Sequence, residues 1–367
     1  MNTVYTNGVI YTEEEKQQGK AIIVRDNVIT GIVDKQNIPE GYAVKDLHGF
    51  NIAPAFIDLQ IYGGDGKLFS ADLDVDSIHA TYQYCLRGGC THFMITIATN
   101  TMDVFFKGIG LVREYWQQGG KGCLGLHLEG PYLNPAKKGA HLQSCIKKPH
   151  VDEVKLLLEK GKDVIQMMTV APEMCDDEII KLLMDSNIIV SAGHSNATYT
   201  GATQKFNLGI PTATHLFNAM SPLQSREPGI VGAVYNSDSI KASIVADGIH
   251  VDFAAISISK KIMGERLFFI TDAVAPATKG DYPHVFKGDR YTLPDGTLSG
   301  SALTMMQAVK NVIQHCHIPL EEALRMASTY PAQLLHSPIP FGKIKQGYAA
   351  DFVVFDDSLN IKEVYTS

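Results

Sequence analysis

Long apolar runs are what this chain of 367 residues most plainly lacks. Stretches such as residues 93–98 and 188–190 fall far short of the roughly 20 residues a membrane helix needs. The opening MNTVYTNGVIY has no basic stretch followed by an apolar one, so no signal peptide is expected. A basic excess is missing too. Against 39 Asp and Glu stand 32 Lys and Arg, a net charge of −7. That balance cannot neutralise a phosphate backbone, which argues against nucleic acid as a partner. Cysteine is sparse and scattered. The six residues, Cys85, Cys90, Cys123, Cys145, Cys175 and Cys316, form no C-x-x-C pair. They read as buried thiols in a reducing compartment, and a soluble cytoplasmic protein is expected. Repeats and low-complexity tracts are absent. What remains is 45% hydrophobic and 19% charged, which suits a folded globular chain with a large core.

The N-terminus reads as a small β unit. Asn7-Gly8 between TVYT and VIYT predicts a hairpin. Arg25-Asp26-Asn27 is a second turn between strand-like runs. Matching β signals close the chain at 350–355 and 361–365. Both ends together predict one discontinuous small β-sandwich domain, 1–52 plus 337–367, around a domain spanning 53–336. The middle alternates. Apolar runs fall at 55–61, 92–97, 123–128, 164–171, 188–192, 212–217, 242–246 and 267–271. Helical patterns lie between most of them, at 76–87, 102–118, 151–160, 177–185, 198–206 and 253–263. Two more follow at 302–315 and 320–335. Eight such alternations predict an α/β fold, a (β/α)8 TIM barrel. The rival is an open doubly wound sheet. Its Gly-rich turn is not matched by Gly63-Gly64-Asp65-Gly66, and Leu68 after Lys67 excludes a phosphate loop.

Barrel active sites form where strands end and βα loops begin. The polar residues at those points are Asp58, Gln60 and Tyr62 on the first run, His127 and Glu129 on the third, and His194 on the fifth. His215 and Asn218 fall on the sixth, Asp247 and His250 after the seventh, and Asp272 on the eighth. Carboxylate and imidazole donors with open positions are the usual ligands of a catalytic divalent metal. A single His at a strand end is as easily a hydrogen-bonded structural residue. For His127 the barrel-filling reading stands, and for His48, His79, His92, His150, His284, His315, His317 and His336 the structural or surface reading is preferred. So many coincident polar strand ends are harder to explain as core, because barrel interiors are filled by branched apolar residues. Gly193-His194-Ser195-Asn196-Ala197 nearly matches a nucleophile elbow, which would make Ser195 a serine-hydrolase nucleophile. Ala197 stands where the last glycine belongs, and an N-cap role for Ser195 is the plainer reading.

The segments PAFIDLQIYGGDG, HLEGPYLNPAKKGAH, SAGHSNATY, THLFNAMSPLQSREPG, ADGIHVD, ITDAVAP and LSGSALTM occur in order along the chain. Together with a closing GKIKQGYAADFVVFD, they resemble the N-acetylglucosamine-6-phosphate deacetylases of the amidohydrolase superfamily. The resemblance implies a barrel metallohydrolase whose terminal β domain comes from both chain ends. It implies one divalent metal per subunit, zinc or else iron, on Glu129, His194 and His215. A metal-bound water would be the nucleophile. Asp272 would be the general acid and base, and His141 would polarise the acetyl carbonyl. Substrate contacts would come from Gln60, His141, Asn218, Ala219, Arg226, His250 and the segment Leu298, Ser299 and Gly300. The substrate would be a small phosphorylated amino sugar and the assembly a homodimer. Many amidohydrolases place H-x-H at the end of strand one to hold a second metal. Here Gln60-Ile61-Tyr62 stands there, so one metal is expected, and Tyr62 is the less usual residue. The expected reaction is deacetylation of N-acetyl-D-glucosamine 6-phosphate. Its galactosamine epimer and the Ser195 hydrolase are the alternatives.

Overall fold

A computed structural model of the chain describes residues 2–277 and 279–367. Eight parallel strands lie side by side in chain order: Phe56–Ile61, Cys90–Ala98, Cys123–Glu129, Ile165–Val170, Ile189–Ala192, Thr212–Ala213, Lys241–Val245 and Leu267–Ile270. Each falls on one of the expected apolar runs. The first strand is buried at every position, as a strand covered on both faces must be. The ring closes where the Asp272 N–H donates to the Gln60 carbonyl at 3.0 Å and the Tyr62 N–H to the Ala273 carbonyl at 2.9 Å. A (β/α)8 barrel results, and every active-site candidate at a strand's C-terminal end shares one rim.

The covering helices start where short polar side chains can cap them. Asp74, Thr101, Thr198, Asp252 and Thr304 each accept a backbone N–H from the first turn that follows. Two helical expectations need correction. A helix at Gly229–Tyr235 follows the sixth strand. Its GIVGAVY sequence is buried from Gly229 through Val234, so no amphipathic period betrays it. The single helix expected over 320–335 is two, Leu320–Ala327 and Thr329–Ala332. Pro331 accounts for the break, because its ring lacks an N–H and crowds the carbonyl of Ala327.

Both chain ends build a sandwich of two sheets. In one, Val28–Asp34, Lys20–Arg25, Asn2–Thr6 and Ala43–Asp46 are neighbours in that order. In the other, Ile361–Tyr365, Phe352–Phe355, Asn51–Pro54, Val9–Tyr11 and Lys16–Gln17 are neighbours. Tyr5, Ile22 and Val24 from the first meet Ile10, Ile52, Phe352 and Val354 from the second in a common core. The Arg25-Asp26-Asn27 turn is a tight hairpin, with φ of 49° at Asp26 and 64° at Asn27 and Arg25 opposite Val28. The hairpin expected at Asn7-Gly8 does not form. Asn2–Thr6 pairs with Lys20–Arg25, whereas Val9–Tyr11 pairs with Lys16–Gln17 and Asn51–Pro54. The turn instead carries the chain from one sheet to the other, which lets Tyr5 and Ile10 meet across the core. Glycine is required at position 8, where a Cβ would lie 2.6 Å from Leu47 Cδ1 and 2.8 Å from the Phe50 carbonyl.

Beyond the last barrel strand, residues up to Ser301 form a small antiparallel sheet of Val285–Phe286, Arg290–Thr292 and Leu298–Ser301. Its last strand bridges to Ala273, which sets it against the barrel rim.

Candidate active site

Glu129 is the last residue of the third strand, and His194, His215 and Asp272 each lie two residues beyond theirs. The last three are left-handed, with φ of 47°, 35° and 55°. Each such backbone costs on the order of 1 kcal/mol and persists only where its surroundings impose it, a common feature of functional sites. The sixth strand is shorter than expected. It ends at Ala213, and the chain then turns sharply through positive φ at His215, Phe217 and Ala219.

Glu129 sits at the centre of the site. Its Oε1 lies 2.8 Å from His215 Nε2 and 3.2 Å from His194 Nε2, and the two imidazole nitrogens are 3.2 Å apart. Proton placement shows what these nitrogens offer. His194 Nδ1 faces the Lys137 carbonyl at 2.8 Å, and a carbonyl only accepts. Nδ1 therefore carries the hydrogen, and Nε2 of the neutral ring presents a lone pair to Glu129 and His215. His215 Nδ1 is buried without a partner. An anionic oxygen and facing imidazole nitrogens at these separations form a donor set that a divalent cation fits. His141 also lies close, grouped with Glu129 and His194 by ligand atoms within 4.8 Å of one another. Its protons point the other way. The Thr99 N–H donates to His141 Nδ1 at 3.1 Å, so the neutral ring carries its hydrogen on Nε2, 3.0 Å from Glu129 Oε2. On that ground His141 faces Glu129 Oε2 as a hydrogen-bond donor, whereas His215 Nε2 stands with His194 Nε2 beside Oε1. The loop that brings in His141 also fixes His194, through Lys137.

Charges are tuned in opposite directions. Burial works against ionisation of Glu129, but the positive charge that His141 and His194 carry when protonated outweighs it and holds the carboxyl well below its usual range. Burial pushes Asp272 up to about 8, with His215 opposing and Glu129 adding to the rise. A cation on the neighbouring donors would bring it back down. Gln60 connects the two carboxylates. Its Nε2 lies 2.8 Å from Asp272 Oδ1, 3.1 Å from Glu129 Oε1 and 2.9 Å from the Tyr62 hydroxyl. The Tyr62 hydroxyl in turn donates to Glu129 Oε2.

A cleft with about 770 Å³ of open space lies over this cluster. Glu129, His141, His194, His215 and Asp272 line it, as do Asn218, Ala219, His250, Leu298, Ser299 and Gly300. Asn218 Nδ2 is buried without a partner. His250 Nδ1 is held by Asp247 Oδ2 at 2.6 Å. Two expected contacts fall elsewhere. Gln60 lies beneath the cleft wall, against the carboxylates. Arg226 is exposed on the loop after the sixth strand and does not line the cleft. Two ring-bearing residues of the cleft escaped sequence reasoning. Tyr282 and His284 line it from the segment that follows the barrel. His284, expected to be structural or at the surface, is buried there with Nδ1 2.8 Å from Ser299 Oγ. No strand-end position marks either residue.

The other candidates resolve simply. His127 is buried between the Leu59 carbonyl and Thr169 Oγ1, and burial pushes its pKa down to about 4, so it fills the barrel as a neutral ring. Asp58 turns from the site toward Thr271, which donates to it from both N–H and hydroxyl. Ser195 is fully buried and donates to Glu173 Oε2 at 2.7 Å rather than to any imidazole, so the nucleophile-elbow geometry is absent.

Comparison with known proteins agrees with this picture. The Amidohydrolase family model matches residues 51–367, and a model described as the NagA composite domain matches residues 4–52. The chain is 35% identical to the N-acetylglucosamine-6-phosphate deacetylase of Haemophilus influenzae over 372 residues, 98% of this chain and 97% of that one. It is 31% identical to the N-acetylgalactosamine-6-phosphate deacetylase of a Shewanella species, over 97% of this chain and 92% of that one. The crystal structure of N-acetylglucosamine-6-phosphate deacetylase from Pasteurella multocida superimposes with a TM-score of 0.94 at 35% identity, covering 100% and 98% of the two chains. The chain belongs to the amidohydrolase family, among its N-acetylglucosamine-6-phosphate deacetylases.

Proposed function

We propose that this chain hydrolyses N-acetyl-D-glucosamine 6-phosphate to D-glucosamine 6-phosphate and acetate. The observation that carries this reading is the meeting of Glu129 Oε1 with the Nε2 atoms of His194 and His215, with Asp272 tied to the same Glu129 through Gln60. Those three donors suit one divalent ion, zinc by their chemistry and iron as the alternative. When bound, such an ion supplies Lewis acidity to a water and to the acetyl carbonyl.

The chain's own side chains do the rest. Asp272 accepts the proton of the attacking water and delivers it to the amine, which cannot leave as an anion. Gln60 holds Asp272 by one oxygen for that transfer. His141 donates from Nε2 to the carbonyl oxygen as it gains charge. The unpartnered Asn218 amide and the left-handed Ala219 backbone suit the phosphate, with His250 beside them. Leu298, Ser299 and Gly300 close against the acetyl methyl. Arg226 has no part in this reading of the single chain. The galactosamine epimer is the nearest competitor, since one hydroxyl orientation separates the two sugars. We also propose a homodimer in the cytoplasm, divided into a terminal β domain of 1–52 plus 337–367 and a barrel of 53–336. Six free cysteines accord with a reducing compartment, and no helix among the described residues is long and apolar enough to cross a membrane.

The test is acetate release from both epimers, before and after chelation. The glucosamine substrate turns over faster, activity vanishes on chelation, and added zinc or iron restores it. Fully metallated protein that releases no acetate from it would overturn the assignment.

A further inference from the structure

Tyr282 meets the cleft from the segment that follows the barrel, and its hydroxyl joins two stretches of backbone that flank His141. We propose that Tyr282 positions His141 for the reaction, by fastening Thr99 on one side of that imidazole and Leu142 on the other. The inference rests on His141 as the donor to the acetyl carbonyl and deepens that reading.

Tyr282 is buried, and a phenol keeps its hydrogen at neutral pH. That hydrogen goes to the Thr99 carbonyl at 2.5 Å, since a carbonyl only accepts. The Leu142 N–H donates to the same hydroxyl oxygen at 3.3 Å. Leu142 follows His141 in the chain, and the Thr99 N–H is the group that donates to His141 Nδ1 at 3.1 Å. A closed circuit results, from imidazole to Thr99, to the phenol, to Leu142 and back to His141 through one peptide bond. The rings of Tyr282 and His141 also meet edge to face, at 84° with centroids 6.5 Å apart. With its hydrogen given to Thr99 and its oxygen facing Leu142, the hydroxyl is committed to backbone. Tyr282 is therefore a positioning residue, acting through His141 rather than on the substrate.

Position matters here because it decides which nitrogen carries the hydrogen. The Thr99 N–H on Nδ1 keeps the ring's hydrogen on Nε2, where an oxyanion needs a donor. Once Thr99 is free to shift, the ring can place its hydrogen on Nδ1 instead. Nε2 then has only a lone pair to offer, which opposes the charge growing on the carbonyl oxygen. Tyr282 is itself held in place. The His284 N–H donates to the Tyr282 carbonyl at 2.9 Å, and His284 Nδ1 lies 2.8 Å from Ser299 Oγ. The two rings lie nearly parallel, at 17° with centroids 6.2 Å apart. Ser299 belongs to the strand Leu298–Ser301, and the Ser301 N–H donates to the Asp272 carbonyl at 2.9 Å. One small sheet thus ties the backbone of Asp272 to the support of His141.

A double-mutant cycle on the metal-loaded full chain tests this, with wild type, Tyr282→Phe, His141→Ala and the double variant. Acetate release gives kcat and KM, bound metal is counted, and thermal melts check each fold. Tyr282→Phe removes the hydroxyl and keeps the ring. Its kcat is expected to fall about 10- to 100-fold, the scale for a displaced catalytic group, with KM and metal content held. In the His141→Ala background the same change is expected to leave kcat where His141→Ala alone puts it, since no imidazole is left to position. A merely structural role would lower kcat by the same factor in both backgrounds, and that result overturns the proposal. Wild-type kcat in Tyr282→Phe overturns it too. Should Tyr282→Phe fail to fold, replacing Leu142 by its α-hydroxy acid decides, because the ester deletes that N–H and keeps the side chain. A kcat loss that disappears beside His141→Ala supports the proposal, whereas an unchanged kcat, or an equal loss in both backgrounds, overturns it. Wild-type kcat in His141→Ala itself would remove the donor role of His141, a failure of the underlying reading that is distinct from a failure of Tyr282.

Discussion

Within the site, two histidines beside Glu129 look alike by distance, and only the partner of each Nδ1 separates them. A Thr99 N–H on His141 makes Nε2 a donor, and a Lys137 carbonyl on His194 makes Nε2 a lone pair. His141→Ala should therefore keep its ion while kcat falls by about 10²–10³-fold, the scale for loss of an oxyanion donor. His215→Ala should lose the ion as well as turnover. Metal content measured beside kcat separates the two. A His141→Ala protein stripped of metal would make His141 a ligand. Asp272→Asn keeps the size of the side chain but removes the proton acceptor. Turnover should drop by about 10²–10⁴-fold with the ion retained. Restored rates from an amide substrate with a good leaving group would locate the lost step at protonation of the amine.

Among elements, the join between the first and last barrel strands carries the sharpest constraint. Asp58 is buried there, accepting from the Gln60 N–H and from the N–H and hydroxyl of Thr271. Burial pushes its carboxyl up to about 6 despite those hydrogen bonds. The folded pKa exceeds the unfolded one, so the contribution of Asp58 to stability is complete below about pH 4 and is lost as pH rises through about 6. Asp58→Asn cannot ionise. The stability difference between wild type and this variant should change by roughly 3 kcal/mol between pH 4 and 7, in the direction that penalises wild type at the higher pH. Denaturant melts across that window measure it, and a difference that stays flat with pH would rule out an ionising Asp58. The nearby strand positions show how far periodicity reaches. All eight barrel strands were legible as apolar runs, because a strand covered on both faces is built mostly of apolar side chains. The helix Gly229–Tyr235 was not, because burial all round leaves it no polar stripe.

For the whole molecule, the two chain ends meet in one sheet. Phe352–Phe355 lies between Ile361–Tyr365 and Asn51–Pro54, and the latter runs almost directly into the first barrel strand. Phe352 is fully buried and stacks edge-on against Tyr5 at 5.1 Å. Phe352→Ala should cost about 3–5 kcal/mol, seen as a lower thermal midpoint. Well below that midpoint kcat/KM should hold, since the cleft is lined from other elements. A loss of kcat/KM with the midpoint unchanged would mean that the terminal sheets shape the site directly.

Local pattern determined the elements of this protein and the polar residues that end its strands, because burial and backbone geometry act on neighbours in sequence. Glu129, His194, His215 and Asp272 stood out for that reason. The resemblance of the THLFNAM and KKGAH segments added Ala219 and His141, which lie in loops that no period marks. Tertiary structure decided what depends on partners distant in the chain. It set Asn7-Gly8 as a crossing between sheets, since Leu47 and Phe50 close that space. It brought Tyr282 and His284 to the cleft and left Arg226 outside it. It fixed the tautomers of His141 and His194 through Thr99 and Lys137, because a proton's place on a ring is set by the group facing it. Such a group comes from another part of the fold, where no pattern within a single segment can point to it.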